Sequence, residues 1–242
     1  MIMDQMIQFI KQLTGGLGGF SSLSSQTDPR KIAYMRDLQR ELKNKDVLEI
    51  PFDKLSMVVF DLETSGFYPY KGDRILSIGA VKMQGDEILD EETFYSLVYS
   101  DSAPSEEVEQ LTGITNEMLK DSETIHDVLK EFYQFIKSDV LVAHHANHEK
   151  QFMNHATWHA LRKSFRHRII DTTFLTKVIH PEAGLVTLDE CCAYYNISNN
   201  QRHHALQDAI ATAKLWSKCI REIQELGYQN LRDVYTHIAT LR

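Results

Sequence analysis

The chain of 242 residues is poor in cysteine and proline, has no excess of positive charge, and holds no long apolar run. Its three cysteines, the adjacent Cys191 and Cys192 and the isolated Cys219, form neither a disulfide framework nor a zinc-ligand pattern. No apolar stretch reaches the length that spans a bilayer. The first residues, Met1 to Leu13, set Asp4 and Lys11 beside a short apolar core without a small-residue cleavage site, which predicts a cytoplasmic protein with no signal peptide and no membrane partner. The net charge of −8 excludes a broad basic surface. It leaves room for a protein that touches a phosphate chain locally and through metal ions, some of the acids then being ligands. What is present is 43% apolar and 25% charged residues, the make-up of a globular domain with a core.

Residues 1–54 read as an N-terminal extension and residues 55–242 as a domain. In the extension, Met3 to Leu13 suits a short amphipathic helix with Met6, Ile7, Phe9 and Ile10 on its apolar side. Thr14 to Thr27 is a Gly/Ser-rich linker. Asp28-Pro29 then opens a helix to about Leu42, with Ile32, Met35 and Leu38 on one face. The domain begins with three stretches rich in strand formers, Met57–Glu63, Asp73–Met83 and Glu92–Tyr99, with Gly85-Asp86 as a turn, which predicts an antiparallel meander. Further strands are expected at Asp139–Ala143 and Arg168–Ile170. Helices are expected near Ser105 and over Ser122–Lys137, Ala146–Phe165, Thr172–Ile179, Leu188–Tyr195, His204–Leu226 and Leu231–Leu241. The resulting fold class is α/β, a five-stranded mixed sheet flanked by helices.

Three short stretches carry the chemistry. In Met57-Val58-Val59-Phe60-Asp61-Leu62-Glu63 a buried strand runs into two acids. Strand alternation puts Asp61 and Glu63 on the same face. Paired carboxylates on a buried strand repel, and a divalent cation relieves them; an oxygen-only site suits magnesium or manganese. A strand end with two solvated acids is the plain alternative. The second stretch, Val142 to Met153, lies where a strand passes into a helix, the end of an α/β sheet that binds ligands. Glu149 falls in that helix's first turn, favoured by the dipole. In the third, Arg202-His203-His204-Ala205-Leu206-Gln207-Asp208-Ala209, an acid sits among alanines at the start of a long helix and needs a partner.

Taken in order, these stretches resemble the DEDD exonuclease superfamily. Asp61-Leu62-Glu63-Thr64-Ser65-Gly66 is similar to its first motif, Asp73 to Val81 to the strand after it, Leu111-Thr112-Gly113-Ile114-Thr115 to its Gly-Ile-Thr segment, and Ile170-Asp171-Thr172 to the stretch before the last motif. His203-x-Ala205-x-x-Asp208 resembles the histidine-bearing DEDDh branch, which includes bacterial polymerase III proofreading (epsilon) subunits, oligoribonucleases and RNase T. The likeness covers roughly Leu55 to Leu226 and implies a ribonuclease H-like fold. One motif departs. Where the branch has Ala-His-Asn-x-x-(aromatic)-Asp, this chain has Ala143-His144-His145-Ala146-Asn147-His148-Glu149, so a longer acid stands where aspartate is expected.

The resemblance implies a two-metal, 3′–5′ exonuclease acting on single-stranded nucleic acid, DNA ahead of RNA, with two Mg²⁺ or Mn²⁺ ions. It assigns the metals to Asp61, Glu63, Glu149 and Asp208, and the general base to His203 rather than His204. It sets Thr64, Phe67, Leu111, Thr112, His144 and His148 beside the terminal nucleotide. The N-terminal arm is left for a polymerase partner or self-association. Two rivals stand beside this reading: a weakly active or inactive domain that binds ends or a polymerase, and a zinc hydrolase built on His144, His145, His148, His155 and His159, whose 144/148 and 155/159 spacings are helical. The basic stretch Arg162 to Arg168 suits either a phosphate backbone or a solvated helix end.

Overall fold

The computed structural model describes residues 47–240. The two helices and the linker expected in the extension lie outside the described residues. Five strands form one sheet in the order β3-β2-β1-β4-β5. They are β1 (Ser56–Thr64), β2 (Ile75–Gln84), β3 (Glu87–Leu97), β4 (Val140–Ala143) and β5 (Ile169–Asp171). β1, β2 and β3 are antiparallel neighbours, whereas β4 runs parallel to β1 and to β5. The expected mixed sheet is therefore observed. β3 starts at Glu87, earlier than the expected Glu92, because the Gly85 turn brings the chain directly back against β2. Its exposed Glu87, Asp90, Glu91 and Glu92 put charge on an edge strand, which discourages pairing with another chain.

Helices cover both faces: α1 (Glu106–Thr112), α2 (Asn116–Lys120), α3 (Ile125–Ile136), α4 (Asn147–Leu161), α5 (Thr173–Ile179), α6 (Leu188–Tyr194), α7 (Ala205–Glu225) and α8 (Leu231–Thr240). Side-chain caps set several starts: Ser105 accepts from the Val108 N–H, Thr124 from that of Asp127, and Thr187 forms a capping box with Glu190. The five-residue α2, not expected from sequence, is capped by Thr115.

The alternation of β1 divides the core. Met57 and Val59 face the cluster around α7, with Leu215, Trp216, Cys219, Ile220 and Ile223. Val58, Phe60 and Leu62 face α3 and α4, where the Phe60 and Phe132 ring centroids are 5.9 Å apart. Asp61 and Glu63 continue the Met57/Val59 side, toward α7. That helix lies against the sheet because Gly79, the register partner of Asp61, has no side chain. A Cβ there would sit 2.1 Å from the Leu206 nitrogen and 2.2 Å from the Ala205 carbonyl carbon. The folded unit reaches back past residue 55. Val47 and Phe52 are buried in the α7-side core, Phe52 donates its N–H to Gln229 at 2.9 Å, and Pro51 bridges to Asn230 just before α8. Among the described residues no helix is long and apolar enough to cross a membrane.

Candidate active site

Because β1 and β4 are parallel, their carboxyl ends fall at the same end of the sheet. β1 delivers Asp61 and Glu63 there, the β4–α4 junction delivers Glu149, and α7 brings Asp208 down onto them. Glu63, Glu149 and Asp208 are all buried. Asp61 keeps partial exposure as a residue, yet its carboxyl group lies deep among protein atoms. Carboxyl oxygens of Glu63 and Asp208 and a ring nitrogen of His203 all lie within 4.8 Å of one another.

The electrostatics are those of crowded acids. Burial, then Glu149, Glu63 and Asp208, raise Asp61 well above the usual carboxylate range, with Arg202 opposing. Glu63 is pushed up to about 7 by burial and by Asp208. Glu149 is pushed up to about 8, by burial first and then by Asp171 and Glu63, while its own backbone N–H at the start of α4 pulls it down. Its Oε2 is buried without a hydrogen-bond partner. An all-oxygen set of mutually repelling carboxyls with one buried orphan oxygen fits a hard divalent cation.

Asp208 is aimed by three donors. The Asn199 side-chain amide reaches Oδ1 at 2.6 Å, the His203 backbone N–H reaches Oδ2 at 2.9 Å, and the Arg202 guanidinium also binds Oδ2. Arg202 is held in turn by Asp189 at 2.6 Å. His203 adopts a left-handed backbone, φ 62°, uncommon for a residue with a side chain. Burial and the adjacent Arg202 lower the pKa of its imidazole, which favours the neutral, proton-accepting form. His204, the N-cap of α7, turns the other way and stacks on Tyr95 of β3 at 4.5 Å between centroids.

The departing motif is anchored by Asp171 at the end of β5. Its carboxylate accepts from the backbone N–H groups of His145 (3.2 Å), Ala146 (3.1 Å) and Thr173 (2.9 Å), tying the turn before α4 to the start of α5. His145 is also left-handed, φ 58°.

The residues expected to hold a terminal nucleotide divide into two groups. Thr64, Phe67 and His148 come together: Thr64 Oγ1 lies 3.3 Å from His148 Nε2, and the exposed Phe67 ring meets the imidazole edge-on at 6.0 Å. Leu111 is exposed on α1, and the neighbouring Thr112 hydroxyl is taken up locally, donating to Val108 and accepting from Ile114. The α1–α2 segment packs through Ile114 on Leu76, next to the register partner of Glu63. His144 is buried, one ring nitrogen 2.7 Å from the Thr172 hydroxyl and the other 2.9 Å from the Val186 carbonyl, so the ring ties β4 to the segment before α6. Among the described residues no three-ligand cluster contains His144, His145, His148, His155 or His159, which removes the support for a zinc site there. Within the basic stretch, Phe165 and His167 are buried and His167 Nε2 binds the Lys137 carbonyl at 2.7 Å; Arg162 and Arg166 are exposed.

Asn199, Arg202 and Tyr95 were not among the residues singled out by sequence, and Asp171 entered only as part of the Ile170-Asp171-Thr172 likeness, with no role. Arg202 had a visible signal, a cation beside the final motif. The other three meet their partners only through the fold.

The exonuclease (RNase T) family model matches residues 58–216, most of the chain and every element of this site. The chain belongs to the exonuclease family. Among its relatives, the DNA polymerase III subunit epsilon of Aquifex aeolicus is 33% identical over 190 residues, covering 78% of this chain and 90% of the relative. The PolC-type DNA polymerase III of Bacillus subtilis is 35% identical over 173 residues, 71% of this chain and only 12% of that much longer polymerase. Exonuclease X, solved with 5′-overhanging duplex DNA, superposes with a TM-score of 0.57 at 21% identity, covering 74% of this chain and 99% of that one. The nuclease domain of 3′hExo, a DEDDh family member bound to rAMP, gives 0.61 at 18%, covering 70% and 92%. At those identities the superpositions establish the fold, the ribonuclease H-like sheet of exonucleases.

Proposed function

We propose that this exonuclease-family protein is a metal-dependent 3′–5′ exonuclease of the DEDDh type. It hydrolyses the terminal phosphodiester of single-stranded DNA and releases nucleoside 5′-monophosphates. The observation that carries the reading is the convergence of Asp61, Glu63, Glu149 and Asp208 from three separate elements, with the His203 ring beside them. Asp61, Glu63, Glu149 and Asp208 would hold two divalent ions, magnesium or manganese. Such ions supply, when bound, the positive charge that stabilises attacking and leaving oxygens. His203 takes the proton of the attacking water. Its neutral imidazole is the form that accepts, and its backbone bond to Asp208 holds the ring at the acids. Thr64, Phe67 and His148 hold the terminal nucleotide. Phe67, 76% exposed, offers a ring face to a base. The kinship with polymerase III subunits supports DNA as substrate and a polymerase as partner through the N-terminal extension.

The test uses 5′-labelled single-stranded DNA and RNA of matched sequence with EDTA-stripped protein. Magnesium or manganese should restore a ladder that shortens from the 3′ end, DNA faster than RNA, and zinc alone should not. Asp61→Ala and Asp208→Asn should each abolish shortening while the protein stays folded. Wild-type rates in either variant would defeat the assignment.

A further inference from the structure

Away from the acids, the long face of α4 carries a row of rings that starts at His148, beside the terminal-nucleotide residues, and continues past any residue used above. His148, His155 and His159 fall at i, i+7 and i+11, on the same side of the helix. Tyr70, 69% exposed in the loop after β1, meets His155 edge-on at 5.4 Å. His155 meets His159 at 4.2 Å, and Trp158 beside them is 54% exposed. Resting on the function proposed above, we propose that this row is a stacking track for the nucleotides upstream of the 3′ end of a single strand.

Three observations select that occupant. The track is continuous with the site, because His148 touches Thr64 and Phe67 at its inner end. Its large exposed side chains are rings with π-faces, Tyr70, Trp158 and His159, rather than the aliphatic groups of a protein-docking patch. Cations for phosphates lie beside the row: the exposed Lys71 follows Tyr70 and sets its ammonium 4.5 Å over the Tyr68 ring, and the exposed Arg162 ends the helix, on a chain whose net charge is −8. From His148 to His159 the helix rises about 16 Å, the length of about five stacked nucleotides.

Binding in the Asp208→Asn background, where nothing is cleaved, tests this by fluorescence anisotropy. The probes are 5′-labelled oligodeoxyadenylates of about two, four, six and eight nucleotides. Affinity should tighten with length up to about six and then level off. Tyr70→Ala combined with His155→Ala should weaken the longest probe by about 10- to 100-fold and leave the shortest within about 2-fold. Tyr70→Phe should bind like the parent. Affinity that does not depend on length overturns the track. So does an unaltered longest-probe affinity in the double variant, which would reassign the ring surface to a protein partner. If the double variant melts early, Tyr70→Ala alone decides between these outcomes, since Tyr70 is exposed and its loss removes no core packing. Failure of the wild-type protein to shorten any strand would instead defeat the proposed function, separately from these outcomes.

Discussion

Glu149 stands where the family resemblance calls for the shorter acid. In the fold its carboxyl group is buried, faces Asp61 and Glu63, and leaves Oε2 without a partner. The helix that carries it starts from a left-handed His145 pinned by Asp171. That anchoring fixes where residue 149 begins, so the reach of its side chain matters. Glu149→Asp withdraws the carboxylate by about 1.5 Å, a C–C bond length, and should lower metal-dependent turnover by about 10²-fold. Glu149→Gln keeps the length and loses the charge, and should do at least as much damage. An unaltered rate in Glu149→Gln, with unaltered manganese dependence, would leave only three carboxylates serving the metals. At His203 and His204 a second comparison follows. His203→Ala should cost about 10²–10⁴-fold in kcat, the usual loss for a general base. His204→Ala removes only the stack on Tyr95 and should cost far less. Equal losses in side-by-side kinetics would mean that His204 is the base. The kinetics decide between two placements: His203 bonds to Asp208 through its backbone, while His204 stacks on Tyr95 of β3.

At the scale of elements, the site exists because α7 lies on β2, and Gly79 permits it. The spacing of Asp61, Glu63 and the helical alanines could be read from sequence, since each is a local pattern. The role of Gly79 could not, because the backbone that needs the space, at Ala205 and Leu206, lies far along the chain. The same reason hid Asp171 and Asn199, whose partners are set by tertiary contact alone. It also hid the structural use of His144, which as a sequence looked free for substrate. Strand and helix locations were largely legible; the start of β3 and the whole of α2 were not, because pairing and capping outweighed weak local preference there. Gly79→Ala tests the contact directly. A Cβ 2.1 Å from a backbone nitrogen must displace the helix, and overpacking of this kind costs about 3 kcal/mol. The expected result is a Tm lowered by roughly 6–12 °C together with loss of metal-dependent activity, since α7 carries Asp208. A variant that keeps its Tm and its activity would mean that α7 does not approach β2 this closely.

For the whole molecule, the acidic cluster makes stability depend on pH and on metal in one direction. Glu63 is raised to about 7 and Glu149 to about 8 in the fold, and both return to the ordinary carboxylate range on unfolding. Between those limits the folded chain binds more protons than the unfolded one, so stability falls as pH rises, and the loss is complete once pH passes about 8. His144, His148 and His203 act oppositely, since burial lowers each of them; their contribution is lost as pH falls below the ordinary histidine range. The carboxyl effect therefore stands clear of the histidines from about pH 7 to 8. In EDTA, the Tm should fall across that window. Saturating manganese should raise the Tm and do so most at the upper end, because the ions bind the ionised carboxylates. Glu149→Gln should flatten the metal-free slope and raise the Tm near pH 8, while abolishing much of the manganese gain. A metal-free Tm that rises through this window, or a manganese shift equal in wild type and Glu149→Gln, would show that Glu149 is not part of a repelling, metal-binding cluster.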